Sequence, residues 1–277
     1  MKGFTRIILW FGLMAVLTLV AMGLWYACTG VSQSTESLKW LQFMQTIGTF
    51  LLPAILGAWL WDEGHRPFRW LRMDKGAEWQ QFVLAALLMV CAIPAINLLA
   101  DLNSRVQLPE SLDFIEQIFK QQEEAAAQLT ERFLKADSVW VLLVNIGLMA
   151  LLPALSEEVS FRGTLQQILG NKHFAIWITA FIFSAIHMQF YGFIPRMLMG
   201  AMFGYIFVWT GSLWMPIVMH FTNNGIAVLV YYIMGESMDG KSYADTFGAG
   251  TTWWVGVLSL LITSLGLLIF YRRTHTR

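Results

Sequence analysis

Charge is what this sequence has least of. Only 13% of its 277 residues are Asp, Glu, Lys or Arg, and the formal net charge is zero. An ordinary soluble domain carries more polar surface than that, so the composition excludes one. No basic run, and no alternation of basic with aromatic residues, is long enough to make a nucleic-acid surface, so no nucleic acid is expected among the partners. The only two cysteines, Cys28 and Cys91, are far apart and lack metal-ligand spacing; both read as small buried hydrophobes. No Gly/Ser linker and no internal repeat divides the chain, which argues for a single domain over residues 1–277.

What the sequence does have is apolar length. Hydrophobic residues make up 57% of it and its mean hydropathy is +0.56. Runs near the ~20 residues needed to cross a bilayer core fall at 7–28, 43–61, 80–100, 138–169, 173–192, 196–210, 213–234 and 252–271. The expected fold is therefore all-α: a polytopic membrane helix bundle of about eight transmembrane helices, the sixth short. The first run follows Lys2 and Arg6 as a signal peptide would. It exceeds the ~7–15 residue core of such peptides and lacks a small-x-small cleavage site, so it reads as a retained helix.

Lys and Arg near span ends favour the cytoplasmic side. Placing both termini there puts eleven bases inside, including the cluster Arg66, Arg69, Arg72 and Lys75 as well as Arg162, against seven outside. This predicts an integral multi-pass protein of the plasma (inner) membrane with cytoplasmic termini and residues 101–137 outside. That long polar insertion carries Leu112, Ile115, Phe119, Ala126, Leu129 and Phe133 at helical spacing. Its eight acids outnumber its four bases, whereas helices lying on lipid are usually basic. An amphipathic helix packed over the outer face of the bundle is the first reading, and a lid that gates substrate the second.

Three polar clusters interrupt the later apolar spans: Ser156-Glu157-Glu158-Val159-Ser160-Phe161-Arg162, Phe183-Ser184-Ala185-Ile186-His187, and His220-Phe221-Thr222-Asn223-Asn224. With Gly170-Asn171 as a turn, Glu157 and His187 lie roughly 20 and 24 Å from a common end at ~1.5 Å per residue, and His220 about 13 Å from the Gly211 turn. All three clusters thus fall at comparable depth within the membrane. Ionisable groups there cost at least ~2.5–3.5 kcal/mol each and persist where they pair or do chemistry. Glu158 and Arg162 are i and i+4, the favoured orientation for a helical ion pair, whereas Glu157 points about 100° away without a partner on its own helix. An unpaired, desolvated acid suits proton exchange near neutral pH. His220 and Asn224, again i and i+4, offer donors to a developing oxyanion.

Each feature alone has a plainer reading. A single histidine in an apolar helix is most often a hydrogen-bonded core residue, a buried ion pair is more often a packing device than a site, and Asn97 and Asn145 read as helix-helix hydrogen-bonding groups. The joint pattern of an acid, two histidines and an amide on successive spans is what favours a site.

These motifs, Glu157-Glu158-x-x-x-Arg162, Phe183-x-x-x-His187 and His220-x-x-x-Asn224, resemble in order and spacing those of the CAAX protease and bacteriocin-processing family, which includes type II CAAX prenyl endopeptidases. The resemblance spans about 148–230, including the lead-in Gly211-Ser212-Leu213-Trp214-Met215-Pro216. It implies an intramembrane endopeptidase in which Glu157 with His187 activates a water, His220 with Asn224 stabilises the oxyanion, and Glu158 with Arg162 holds the site together. The implied substrate is a peptide or membrane-associated protein, lipidated or not, and the lipid bilayer is the other partner. No cofactor is implied. Zinc on Glu157, His187 and His220 is the runner-up, since such a set is a recognised catalytic one, though it would consume the proposed base. No His-Glu-x-x-His occurs, and no Asp lies between Asp137 and Asp239 to build an aspartyl dyad or a Ser-His-Asp triad. Two non-hydrolytic alternatives are an immunity or peptide-binding protein on the same fold, and a small transporter relaying protons through its buried acids.

Overall fold

The computed structural model describes residues 3–30, 32–106, 108–170, 172–235 and 246–275. Among these the protein is helical throughout, without strands. The principal helices are α1 (Gly3–Thr29), α2 (Thr35–Trp61), α3 (Trp79–Ser104), α4 (Asp113–Leu134), α5 (Val139–Leu169), α6 (His173–Ala185), α7 (Phe193–Thr210), α8 (Trp214–Met234) and α9 (Trp253–His275), with a single helical turn at Pro67–Trp70. Seven stretches among the described residues are long and apolar enough to cross a membrane, and α6 is a shorter apolar helix.

The expected fifth span, 173–192, is the one the structure cuts short. Its helix stops at Ala185, Met188 takes a left-handed φ of 54°, and the chain doubles back into α7 at Phe193. A left-handed non-glycine residue is costly and persists only where its surroundings fix it. They do: Ser184 Oγ donates to the Phe193 carbonyl at 2.7 Å, and Asn103 Nδ2 donates to the Phe190 carbonyl at 2.8 Å. At ~1.5 Å per residue a helix as short as α6 rises only about 20 Å, less than the ~30 Å apolar thickness of a bilayer. Hydropathy alone cannot reveal that break, because residues 186–194 stay largely apolar.

One end of the bundle is stitched together by the loop after α2. Trp214 Nε1 donates to the Met73 carbonyl at 2.9 Å, Ser212 Oγ to the Lys75 carbonyl at 2.6 Å and Gln167 Nε2 to the Trp70 carbonyl at 3.0 Å. Gly170 and Gly211, at φ 105° and 66°, provide the left-handed caps of α5 and α7 at this end; Asn171, the other half of the expected turn, lies outside the described residues. Gly3 rests against Ile168, and Phe270 near the end of α9 packs with Ala85, Leu88 and Met89 near the start of α3. The basic loop and both described helical ends therefore share one end of the molecule.

Packing inside the bundle follows from small residues and prolines. On α7, a Cβ on Gly204 would come within 2.7 Å of Gln166 Oε1, and one on Gly200 within 3.1 Å of Arg162 Nη2. This small-xxx-small face lets α5 approach the α7 backbone closely. In α3, Pro94 breaks the helical ladder, and Ser259 of α9 enters the gap, accepting from Ala95 N at 3.0 Å and donating to the Cys91 carbonyl. Asn145 accepts from Lys39 Nζ at 2.6 Å and donates to the Leu134 carbonyl at 3.3 Å, the interhelical role expected of it, whereas Asn97 donates at 2.9 Å to the carbonyl of Phe247, in the turn before α9 rather than on a helix.

Several sequence expectations need correction. Cys28 and Cys91 are both exposed on helix surfaces; in a bundle bounded by lipid, an apolar side chain gains nothing by turning inward. Arg162, counted among the span-end bases, is completely buried beside Glu158 instead. Only part of the expected apolar stripe of α4 faces the bundle: Phe133 is buried and Phe119 stacks on Phe190 at 5.1 Å, while Leu112, Ile115 and Leu129 stay exposed. α4 lies across the end of the bundle opposite the basic loop, with Arg132 Nε donating to Thr35 Oγ1 at 2.8 Å.

Candidate active site

The site grows out of α5. Two π-helical stretches flank its acids, Ile146–Leu151 before and Phe161–Gln166 after, and such bulges occur often at functional sites. Pro153, which follows the first, has no N–H to return to the Met149 carbonyl four residues earlier. That carbonyl accepts instead from Asn224 Nδ2 of α8 at 3.3 Å. The same carboxamide accepts from Asn223 Nδ2 at 3.0 Å, leaving one of its own N–H bonds for a ligand.

The two acids part as helical spacing requires. Glu158 and Arg162 form an ion pair at 2.7 Å with both side chains completely buried, while Glu157 keeps a little exposure. Arg162 spends its other terminal nitrogen on the Gly200 carbonyl at 2.9 Å and lies over the faces of Phe183 and Phe203, with 4.6 and 5.4 Å to the ring centroids. The cation thus ties α5 to α7 through the glycine face.

The sequence reading missed what else Glu158 holds. The oxygen that binds Arg162 also accepts from His220 Nδ1, at 2.8 Å, across a separation of 62 residues. A carboxylate paired to arginine only accepts, so Nδ1 carries the proton and Nε2 is left facing Glu157 Oε2 at 4.0 Å. The signal was present in principle: a carboxylate has lone pairs for about four donors, so one helical partner does not exhaust it. His220 is buried between Phe183 and Phe203, whose ring centroids lie 6.1 and 5.6 Å from its own.

His187 sits in the α6–α7 turn rather than on a helix face. Its Nδ1 faces the Phe183 carbonyl at 2.8 Å, which makes Nδ1 the donor and leaves Nε2 with a free lone pair. Phe183 has its ring 5.2 Å from His187 and so stands between the two imidazoles. Hence Glu157, Glu158, Arg162 and His220 are brought together directly, Asn224 is fixed by the α5 backbone, and His187 lies beside them around Phe183. Among the described residues no three His, Cys, Asp or Glu side chains gather as a metal-holding group; the Glu157, His187, His220 zinc set is not assembled in this arrangement. An apolar groove of about 320 Å³ between α2 and α5, lined by Glu36, Lys39, Trp40, Phe43, Val144 and Leu148, contains none of the site residues.

With that geometry in view, the sequence model for "Type II CAAX prenyl endopeptidase Rce1-like" proteins matches residues 138–226. Those residues form a domain of that family. The stretch begins at the N-cap of α5 and ends just past Asn224, so it carries Glu157, Glu158, Arg162, His187, His220 and Asn224. An 81-residue segment is also 33% identical to the uncharacterized protein YpbD of Bacillus subtilis (strain 168), covering 28% of this chain and 40% of that protein. The chain therefore spans well under two thirds of the relative it matches. No solved structure matches it. The CAAX-family domain rests in an integral, multi-span helical bundle, with the buried Glu158–His220 pair at its centre.

Proposed function

We propose that this protein is an intramembrane endopeptidase of the glutamate type, acting on a peptide or membrane-associated protein. One observation carries the reading: within the family-matched segment, His220 is held by Glu158 at 2.8 Å with its other nitrogen turned to the second acid, Glu157, at 4.0 Å. Glu157 and the free Nε2 of His187 bracket a water and accept its proton as the oxygen attacks the peptide carbonyl carbon. The tetrahedral oxyanion accepts from the spare N–H of Asn224 and, when Nε2 carries a proton, from His220, whose ring Glu158 holds through Nδ1. The accepted proton passes to the departing amine as the C–N bond breaks.

Arg162 plays a structural part here, holding Glu158 in place. The 148–230 core supplies the chemistry, the 101–137 insertion covers it, and the whole chain is a single membrane domain in the inner membrane with both termini cytoplasmic. The test is turnover of a labelled peptide library by purified protein. Wild type should cleave, and Glu157→Gln should lose about 10²–10⁴ in rate, the usual worth of general-base assistance, while remaining folded. Near wild-type cleavage by Glu157→Gln would refute the assignment; a wild type that binds peptides without cleaving any would favour the immunity or peptide-binding alternative.

A further inference from the structure

Arg196 is a second cation beside the site, and nothing above uses it. It lies in the first turn of α7, the positive end of the helix dipole, where a cation is disfavoured. Nη2 donates to Gln189 Oε1 at 2.6 Å, but Nη1 is shut off from solvent without a hydrogen-bond partner. Glu157 and Glu123 both act on it electrostatically, yet among the described residues it forms no ion pair with either. Glu123, on α4, is in the mirror-image position: its Oε2 is also shut off and without a partner. Leaving such groups unpaired is costly. Two half-satisfied polar groups thus face the α6–α7 turn from α7 and from the covering helix α4, next to the acid proposed as base.

We propose that Arg196 is a specificity-determining residue that binds a carboxylate of the substrate, seating it between α7 and α4. The inference rests on the peptidase reading. Guanidinium is the side chain best shaped for a carboxylate. Burial pushes the Glu123 carboxyl above its ordinary value, against the opposing pull of Arg196. In its protonated form it donates to the bound carboxylate's second oxygen instead of repelling it. A chain held there enters the site alongside Glu157. The carboxylate comes either from the peptide's free C-terminus or from an acidic side chain.

The experiment uses the full chain in detergent and matched peptide pairs: C-terminal acid against C-terminal amide, and internal Glu against internal Gln. Wild type should prefer the carboxylate member of one pair roughly tenfold or more in kcat/KM, through KM, as one lost charge-assisted hydrogen bond implies; which pair responds identifies the source. Arg196→Gln should bring that ratio to near one, Arg196→Lys should restore part of it, and Gln189→Ala, which removes only the hydrogen bond to the turn, should preserve it. Equal cleavage within both pairs by wild type would overturn the proposal. So would an Arg196→Gln variant that slows all peptides alike with the ratio intact, which is what a purely structural arginine would give. Should wild type cleave no peptide, the peptidase reading fails separately. Tryptophan-fluorescence titration of the same pairs onto Glu157→Gln protein then decides the carboxylate site, equal affinities overturning it.

Discussion

Glu158→Gln is the most discriminating single change. Glutamine keeps the size of the side chain and an oxygen able to accept from both Arg162 Nη1 and His220 Nδ1, so what is removed is charge. At the observed 2.7 Å and an effective dielectric of ~20, the lost attraction is about 6 kcal/mol. The net cost is smaller, because Glu158 Oε2 and Arg162 Nε already lack partners, and the cation keeps the Gly200 carbonyl and two aromatic faces. Breaking a buried pair by removing one partner typically costs ~3–5 kcal/mol. At roughly 2–4 °C per kcal/mol for a chain of this size, the melting temperature should fall on the order of 6–20 °C. Thermal unfolding in detergent, followed by tryptophan fluorescence beside a cleavage assay, measures both consequences. A melting temperature within error of wild type would refute the claim that Glu158 neutralises Arg162 in the interior. Full stability with complete loss of turnover would instead move Glu158 into the reacting centre.

Asn224→Ala should slow cleavage by about 10²–10³, the worth of one oxyanion donor, with little change in KM; unchanged kcat would remove the carboxamide from the oxyanion site. Activity should survive chelation, and stoichiometric zinc with loss on chelation and recovery on zinc addition would establish a Glu157, His187, His220 metal site. For topology, an impermeant thiol reagent on intact cells should label a cysteine placed at residue 122 and spare one at residue 70; the reverse pattern inverts the orientation. Glu123 makes the docking of α4 pH-dependent: its folded-state value is raised, so its contribution is present at low pH and is lost as pH rises through that value. Hydrogen exchange of α4, corrected for intrinsic rate, should rise with pH in wild type, and Glu123→Gln should abolish that slope; a slope unchanged in the variant would discount Glu123.

Composition alone made this a helical membrane protein, because 57% hydrophobic residues in runs of about 20 have no other use. Helical spacing alone separated Glu157 from Glu158 and paired the latter with Arg162, since i and i+4 share a face wherever the helix lies. Those are local facts, fixed by the 3.6-residue turn. The bond from Glu158 to His220 is not local: it depends on which faces of α5, α7 and α8 meet. That was decided by the Gly200 and Gly204 face and by the carbonyl freed before Pro153. The turn carrying His187 also escaped the sequence, because an apolar stretch reads as helix whether or not it doubles back. Partners distant in sequence or across the turn, among them Asn103, Ser184, Arg196 and Phe119 of α4, hold the segment in which Met188 is left-handed and α6 ends at Ala185. The facing of Arg196 and Glu123 likewise arises where α4 crosses the turn. Sequence spacing orders residues along one helix, whereas packing between helices selects which unpaired groups confront each other.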